Sequence, residues 1–332
     1  MVMDYKFSEA QEMLRASAHD FLEKECTESV LKELEEKGLG HSMNLWKKIA
    51  GLGWLGLVYP EKYGGFAMNF VDLAVLYEEF GRALFPSPYL STVILCGLTI
   101  LEAGNEAIKS EMLPSIIEGN EIIALAMSEP GSSLEGISWS PEDVTIVASV
   151  DGDDYLLIGV NLFVYDADIA SKLLVPAKTK AGGYSEDGIT LFLVDSESPG
   201  ISVGRLATPA GNDQCEVIFN RVRVNRESII GELNGGWAPL SHSMQVGAVM
   251  MSAQMLGAGQ RLLQLSEEDY ITRSQSGIPS EVDQYNKEFL NHLKQDVEGC
   301  RQAIYKAAEK LAEGKPDDFT KILTIGWNSY TS

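Results

Sequence analysis

The spacing of apolar residues changes twice along the chain and divides the sequence into three parts. Up to about Gly119, apolar positions recur every three to four residues, as on one face of a helix. From Ile122, apolar residues form short runs separated by glycine and proline turns, which is typical of strands. From Trp237 the helical spacing returns. The pattern therefore predicts helices, then strands, then helices, with domains at 1–119, 120–231 and 232–332.

The first part begins with a helix that has a recognisable start signal. Ser8 and Gln11 have the spacing of a capping box, and the apolar stripe of that helix follows them. Four further apolar segments are predicted to be helical: Met43–Ile49, Phe70–Leu84, Tyr89–Ala103 and Met112–Ile117. These segments predict an ordinary helical bundle.

The glycines at Gly51, Gly53 and Gly56 match the text of the dinucleotide-binding fingerprint G-x-G-x-x-G. That fingerprint must follow a strand and open a helix. Here a predicted helix precedes the glycines and an apolar run leading to Pro60 follows them. We therefore interpret the match as a helix terminus without a nucleotide.

The middle part predicts a β domain. A buried strand over Ile122–Met127 ends at Ser128, because Pro130 removes a ladder donor and Gly131 permits a tight bend. Asp151-Gly152 is a hairpin signal between two β-rich runs. The predicted strands after the first are Val144–Val150, Tyr155–Val160, Leu173–Ala177, Ile189–Val194, Ile201–Val203 and Glu216–Val224. Short strands at this spacing predict an antiparallel barrel or sandwich.

The last part opens with a segment that carries no charged residue, Trp237–Gln260. Its serine, glutamine and histidine content argues against a membrane span, and it predicts a helix buried on most sides. Four methionines in this segment suit either plain core or a pocket wall: Met244, Met250, Met251 and Met255. Helices over Val282–Ala312 and from Asp317 are predicted to follow.

Composition excludes several classes of function. The chain has 332 residues and a formal net charge of −22, so nucleic-acid binding is not expected. Its four cysteines and four histidines are too scattered for a metal site. The first residues lack the apolar core of a signal peptide, and no apolar run is long enough to span a bilayer. We expect a cytoplasmic protein without metal, nucleic acid or membrane.

Six segments, in order along the chain, resemble segments of the acyl-CoA dehydrogenase family. They are FSEAQEML, LGWLGLVYPEKYGG, ALAMSEPGSS, GVNLFVYDA, FNRVRVNRESIIGELNGGW and YITRSQSGIP. The resemblance covers nearly the whole chain. It implies an α+β fold with an N-terminal helical domain, a middle antiparallel β-barrel domain and a C-terminal helical bundle.

The resemblance also implies a cofactor and the residues around it. The family uses FAD to oxidise acyl-CoA thioesters, and the electrons leave to an electron-transfer flavoprotein. Met127 and Ser128 match positions at the pyrimidine edge of the flavin, where backbone donors and a hydroxyl stabilise charge. Phe163 and Tyr165 match positions beside the flavin ring. Arg273 and Gln275 match positions that reach across a dimer interface to a partner's FAD, and an arginine fork suits its pyrophosphate.

Several positions depart from the family pattern, and they predict that this chain holds no catalytic base. Asn161 replaces a lysine, Tyr165 a threonine and Ala248 an arginine, while Leu134 interrupts a Gly-Ser-Asp run. Gly247 occupies one of the two positions known for the catalytic glutamate, and the chain ends before the other. A base is required because the α-proton of a thioester is only weakly acidic.

Three hypotheses follow. The first is a short, degenerate member resembling the small subunit of a heteromeric acyl-CoA dehydrogenase, active in fatty acid or related acyl-CoA degradation. A full-length subunit would bind most of the acyl-CoA, and this chain would complete its FAD site. The second is a self-sufficient dehydrogenase with an atypical base, such as Asp166 or a carboxylate of Glu267–Asp269. The third is a non-enzymatic scaffold of the same fold.

Overall fold

The computed structural model describes residues 6–127, 140–180, 186–207, 214–275 and 280–315. Eight α-helices and eight strands are assigned within these ranges. The helices are α1 (Glu9–Glu25), α2 (Glu28–Glu36), α3 (Met43–Gly51), α4 (Phe70–Arg82), α5 (Leu98–Ala103), α6 (Glu106–Ile117), α7 (Trp237–Gln275) and α8 (Ser280–Ala312). The strands are β1 (Ile123–Leu125), β2 (Val147–Asp151), β3 (Asp154–Tyr165), β4 (Lys172–Lys178), β5 (Ile189–Asp195), β6 (Ile201–Arg205), β7 (Gln214–Val224) and β8 (Ile229–Ile230).

Capping boxes start two of the helices. The Ser8 hydroxyl accepts a hydrogen bond from the Gln11 amide, and the Gln11 side chain accepts one from the Ser8 amide, as predicted. Asn69 and Asp72 form the same reciprocal pair at the start of α4. The side-chain nitrogen of Gln11, Nε2, donates to an Asp72 carboxylate oxygen at 2.9 Å. The two caps therefore connect α1 to α4 as well as starting each helix.

Two helical features differ from the sequence prediction. Helix α2 was not predicted, although Val30, Leu31 and Leu34 have helical spacing and are half-buried. The segment predicted as one α-helix from Tyr89 is a π-helix over Leu90–Gly97 that continues into α5. The Tyr59 hydroxyl donates to the Val93 carbonyl at 2.7 Å, and a Cβ at Gly97 would lie 1.8 Å from the same hydroxyl. The wider turn makes room for this phenol.

The strands form one sheet with the order β6-β7-β3-β2-β4-β5-β8, and β1 pairs with β4. The hairpin predicted at Asp151-Gly152 is present, with Asp151 opposite Asp154 in the antiparallel pair of β2 and β3. Two pairings are parallel, β1 with β4 and β2 with β4, which departs from a purely antiparallel expectation. Among the described pairings the sheet is an open path with β6 and β8 at its ends, so barrel closure is not among them.

The chain divides into two compact units that are not continuous in sequence. The described part of the first unit consists of residues 6–28, 69–85, 248–275 and 280–315, and that of the second consists of residues 29–68, 86–127, 140–180, 186–207 and 214–247. The first unit is helical, whereas the second contains the whole sheet together with the π-helix. The three-domain division at 119 and 231 stays a prediction.

In the first unit α4 and α7 cross at van der Waals distance because glycine is present on both helices. A Cβ on Gly81 would lie 1.7 Å from the Gln254 carbonyl oxygen, and one on Gly257 would lie 1.8 Å from the Glu78 carbonyl oxygen. No helix in the described ranges combines the length and the apolarity needed to cross a membrane.

Candidate cofactor and substrate site

The end of β1 is tied to its neighbours by backbone and side-chain bonds. The Ala126 amide donates to the Leu174 carbonyl on β4 at 2.9 Å, and the Met127 amide donates back to the Leu125 carbonyl at 2.9 Å. The Asn161 side chain, on β3, donates to the Ala126 carbonyl at 2.5 Å. Met127 is 3% exposed. The fold thus brings Met127 and the predicted flavin strand together, while Ser128 lies outside the described residues.

Phe163 lies at a bulge in β3. The register with β7 shifts between Asn161 and Val164, and Phe163 has a φ of +58° within that shift. Its side chain is 40% exposed, so an aromatic face is accessible at this point of the sheet. Tyr165 pairs with Gln214 at the end of β3 and is half-buried. A tyrosine occupies more space than the threonine of the family pattern.

Asp166 follows β3 directly and is held by a hydroxyl. It has a φ of +60°, and the Ser91 hydroxyl of the π-helix donates to its carboxylate. Burial, with the Asp166 charge as a smaller second cause, raises the pKa of the nearby Cys96 thiol well above its usual range. That thiol stays protonated at neutral pH, and a thiol is a poor nucleophile.

Gly247 lies on the half of α7 that belongs to the second unit, and its surroundings are filled. A Cβ there would lie 3.1 Å from Leu95 and 3.4 Å from Leu90, both on the π-helix. The next residue, Ala248, is fully buried. The position that can carry the base in the family is therefore packed by leucines.

Arg273 lies near the end of α7 in the first unit, and its side chain is 71% exposed. Its Nε donates to Asp269 at 3.1 Å, one turn earlier on the same helix. The alternative carboxylates on this helix are also engaged: Glu267 by Lys294, and Glu268 by the Gln264 amide. The side chain of Gln275, the last residue of α7, lies outside the described residues.

The structure thus joins some predicted site residues and leaves others apart. Met127, Phe163 and Tyr165 belong to one sheet region in the second unit, whereas Arg273 belongs to the first. Sequence reasoning noted Asn161 only as a replaced lysine. Its signal as a contact was present, since a polar residue on an inward position of a strand needs a buried partner. No cluster of potential metal ligands occurs among the residues that the structure describes.

Comparison with known proteins agrees with the architecture and the motifs. Models of the N-terminal, middle and C-terminal domains of acyl-CoA dehydrogenase match residues 8–120, 124–222 and 234–325. The chain belongs to the acyl-CoA dehydrogenase family. Because all three domain models match, the description of the chain as a short and degenerate member is not borne out.

Individual relatives cover nearly the whole chain. The 3-(aryl)acrylate reductase of Clostridium sporogenes is 30% identical over 317 residues, which are 94% of this chain and 82% of the relative. Butyryl-CoA dehydrogenase from Megasphaera elsdenii superposes with a TM-score of 0.84 at 27% identity, covering 97% of this chain and 84% of that one. The ChsE4-ChsE5 complex from Mycobacterium tuberculosis gives 0.83 at 25% identity, covering 98% and 84%.

Members of the family are FAD-binding flavoproteins, and the two regions of this chain fit that cofactor unequally. The Arg273 guanidinium is exposed and bonded only within its helix in the contacts described above, so it fits a phosphate brought by another molecule. Phe163 is an exposed aromatic residue, and aromatic side chains stack against flat rings. The Met127 amide does not fit as a donor in this conformation, because the Leu125 carbonyl already accepts its hydrogen.

Proposed function

We propose that this chain is the non-catalytic subunit of a heteromeric FAD-dependent acyl-CoA dehydrogenase. It completes the FAD site of a second, full-length subunit, which binds most of the acyl-CoA. The observation that carries the proposal is Gly247 itself, which offers no carboxylate at this position and lies against Leu90 and Leu95. The proposal places this heteromer in the cytoplasm, with an electron-transfer flavoprotein as its redox partner.

The first step of the argument concerns the base. A proton beside a thioester must leave to a positioned carboxylate, and such a base supplies roughly a hundred- to ten-thousand-fold in rate. Position 247 carries no side chain, and an added Cβ would already lie 3.1 Å from Leu95 and 3.4 Å from Leu90. The carboxylates Asp166, Glu267 and Asp269 each have a partner already. The base is therefore assigned to the other subunit.

The second step concerns Arg273. An exposed ion pair one helical turn apart contributes only about 0.3–0.5 kcal/mol. A charge-assisted bond to a phosphate contributes about 1.5–3 kcal/mol. The guanidinium therefore gains by leaving Asp269 for the pyrophosphate of a neighbour's FAD. Acceptance of the substrate hydride is the chemistry that FAD supplies when bound, and this chain's contribution is to hold the cofactor.

The relatives support two further parts of the proposal. One solved structure that this chain resembles is a complex of two differently named subunits, ChsE4 and ChsE5. One relative is named as a reductase and another as a short-chain acyl-CoA dehydrogenase. We propose oxidation of an acyl-CoA as the physiological direction, and the assay should be run in both directions.

The test is co-expression of this chain with a full-length family member, followed by a flavin count on the purified complex. We expect about one FAD per unlike pair. Arg273→Ala should weaken FAD binding by roughly ten- to a hundredfold, as the loss of one charge-assisted bond predicts. Arg261→Ala is the matched control, since Arg261 is another exposed arginine of α7.

Three outcomes would contradict the proposal. They are two flavins per pair, FAD binding that is indifferent to Arg273→Ala, and steady turnover by the chain alone with a range of acyl-CoAs and a dye acceptor. In the last case the self-sufficient alternative would hold, and Asp166→Asn would test whether Asp166 is its base. A pair that forms but never contains flavin would favour the scaffold.

A further inference from the structure

Asn161 connects three segments of the second unit. Its side chain is buried, with 1% of the residue exposed. Its amide nitrogen donates to the Ala126 carbonyl at 2.5 Å, and its amide oxygen accepts from the Thr145 hydroxyl at 2.6 Å. The Val160 carbonyl oxygen lies 3.0 Å from the same Thr145 hydroxyl and shares its single hydrogen. One amide group thus joins β3, the segment before β2 and the end of β1.

The end of β1 is curled inward where Asn161 holds it. The Met127 amide points back to the Leu125 carbonyl, and the Ala126 amide is bonded to the Leu174 carbonyl. The Ala126 carbonyl, between these two amides, is the group that Asn161 binds. The Met127 amide can face a ligand only if this turn opens, and opening the turn moves the Ala126 carbonyl away from Asn161.

We infer that Asn161 is a positioning residue that keeps the flavin edge of this chain's own sheet closed. The inference rests on the proposed function, in which the FAD of the unlike pair belongs to the site of the other subunit. The side chain acts through the Ala126 peptide and does not touch the cofactor. The asparagine at this position is therefore an internal tie that replaces the family's lysine.

The size of the effect follows from the strength of one hydrogen bond. If the open form must break the bond from Asn161 to Ala126, the affinity for FAD is lowered by the fraction of open chains. Removing the tie should then raise the affinity of the chain alone by about tenfold, which corresponds to about 1.4 kcal/mol. We expect no larger gain in FAD affinity, because Tyr165 still occupies more space beside the flavin position than the family's threonine.

The experiment uses the full chain without a partner. Asn161→Ala removes the two side-chain bonds described above, the one to Ala126 and the one from Thr145. Thr145→Val removes the hydroxyl that faces the Asn161 oxygen and the Val160 carbonyl, and it leaves the bond from Asn161 to Ala126 in place. Loss of folding is not expected at Thr145 because this residue is exposed. Thr190→Val is the matched control. Thr190 lies on β5 and is fully buried, like Asn161. Its hydroxyl is hydrogen-bonded to the Thr179 hydroxyl and accepts from the Asn234 backbone amide. The measurements are amide hydrogen exchange at Ala126 and Met127, and titration with FAD.

We expect exchange at Ala126 and Met127 to accelerate about tenfold in Asn161→Ala and less in Thr145→Val. FAD should bind about tenfold more tightly to Asn161→Ala than to the unmodified chain. If the unmodified chain binds no FAD, measurable binding by the variant supports the inference. Thr190→Val should change neither measurement. If Asn161→Ala fails to fold, faster amide exchange and tighter FAD binding in Thr145→Val are the deciding results.

Unchanged exchange, or FAD affinity that is unchanged or reduced in a folded variant, would overturn the inference. The proposed function fails on different data, namely the flavin count and the Arg273 dependence of the unlike pair. If the unlike pair holds one FAD whose binding depends on Arg273, and Asn161→Ala alone gains no FAD affinity, only the role of Asn161 is refuted. A pair that holds two flavins would refute the proposed function and the inference that rests on it.

Discussion

The two parts of α7 differ in burial and in charge. The first part, Trp237–Gly247, belongs to the second unit, and the remainder belongs to the first unit. From Trp237 to Gly247 the helix carries no charged residue, and Leu240 and Val246 are fully buried. From Ala248 the buried positions continue as far as Gly257, and from Arg261 the helix carries arginines and carboxylates, with the side chain of Arg273 71% exposed near its end. One helix therefore provides tight packing at its start and a charged surface at its end.

This difference shows which part of α7 can present a functional side chain to a ligand. A catalytic side chain needs a cavity, and the first half of α7 has leucine contacts at Gly247 where the family can place one. A side chain that acts on another molecule needs exposure, and the second half provides it. Each of the following predictions tests one side of this comparison, from the largest expected effect to the smallest.

Gly247→Glu should destabilise the protein by roughly 3–5 kcal/mol without producing activity, because it places an unpaired charge among Leu90 and Leu95. Urea denaturation of the chain measures the loss. Gly259→Glu is the control on the same helix, since a Cβ at Gly259 meets nothing within 4 Å. A Gly247→Glu protein as stable as the unmodified chain would show that the first half of α7 has a cavity after all.

Gly257→Ala should cost about 2–3 kcal/mol, because the added methyl would lie 1.8 Å from the Glu78 carbonyl and must force α4 and α7 apart. Gly259→Ala should be neutral or stabilising by up to about 1 kcal/mol, since alanine is the better helix former. Thermal unfolding of the two variants makes the comparison. Equal stability of both would mean that the crossing adapts easily.

Glu79→Gln tests the buried carboxylates beside the second half of α7. Burial raises the pKa of Glu79, against the opposing effects of His19 and Arg82. The folded state therefore binds the Glu79 proton more tightly than the unfolded state, and the stability gained from that proton is lost as pH rises through the folded pKa.

The variant should consequently gain stability relative to the unmodified chain as pH rises through and above the usual range of a glutamate pKa. Chemical denaturation at several pH values measures the difference. Glu23→Gln is the control, because Glu23 faces the same His19 but is 74% exposed. A difference that shrinks with rising pH would reverse the assigned sign.

Arg273→Ala should change the free energy of unfolding by less than about 0.5 kcal/mol, because its ion pair with Asp269 is exposed. Calorimetry of the chain alone measures this. The result matters for the flavin experiment, since a near-neutral effect on folding means that lost FAD affinity reflects a lost contact. A large destabilisation would instead make Arg273 part of the packing.

Much of the fold could be predicted from local patterns. The capping box at Ser8, the hairpin at Asp151-Gly152 and the uncharged start of α7 each follow from residues close in sequence, and each is present. The π-helix could not be predicted, because its cause is the Tyr59 hydroxyl, which is distant in sequence from Val93. Helix α2 was missed although the spacing of Val30, Leu31 and Leu34 is a local helical pattern.

The candidate site divides in the same way. Sequence alone determined the family resemblance, the identity of the residues at 161, 247 and 273, and the absence of a side chain at Gly247. Only the tertiary structure decided that leucines fill the space at Gly247, that Arg273 is exposed, and that Asn161 reaches the Ala126 carbonyl. The physical reason is that side-chain chemistry is local, whereas room, exposure and partners depend on segments that only folding brings together.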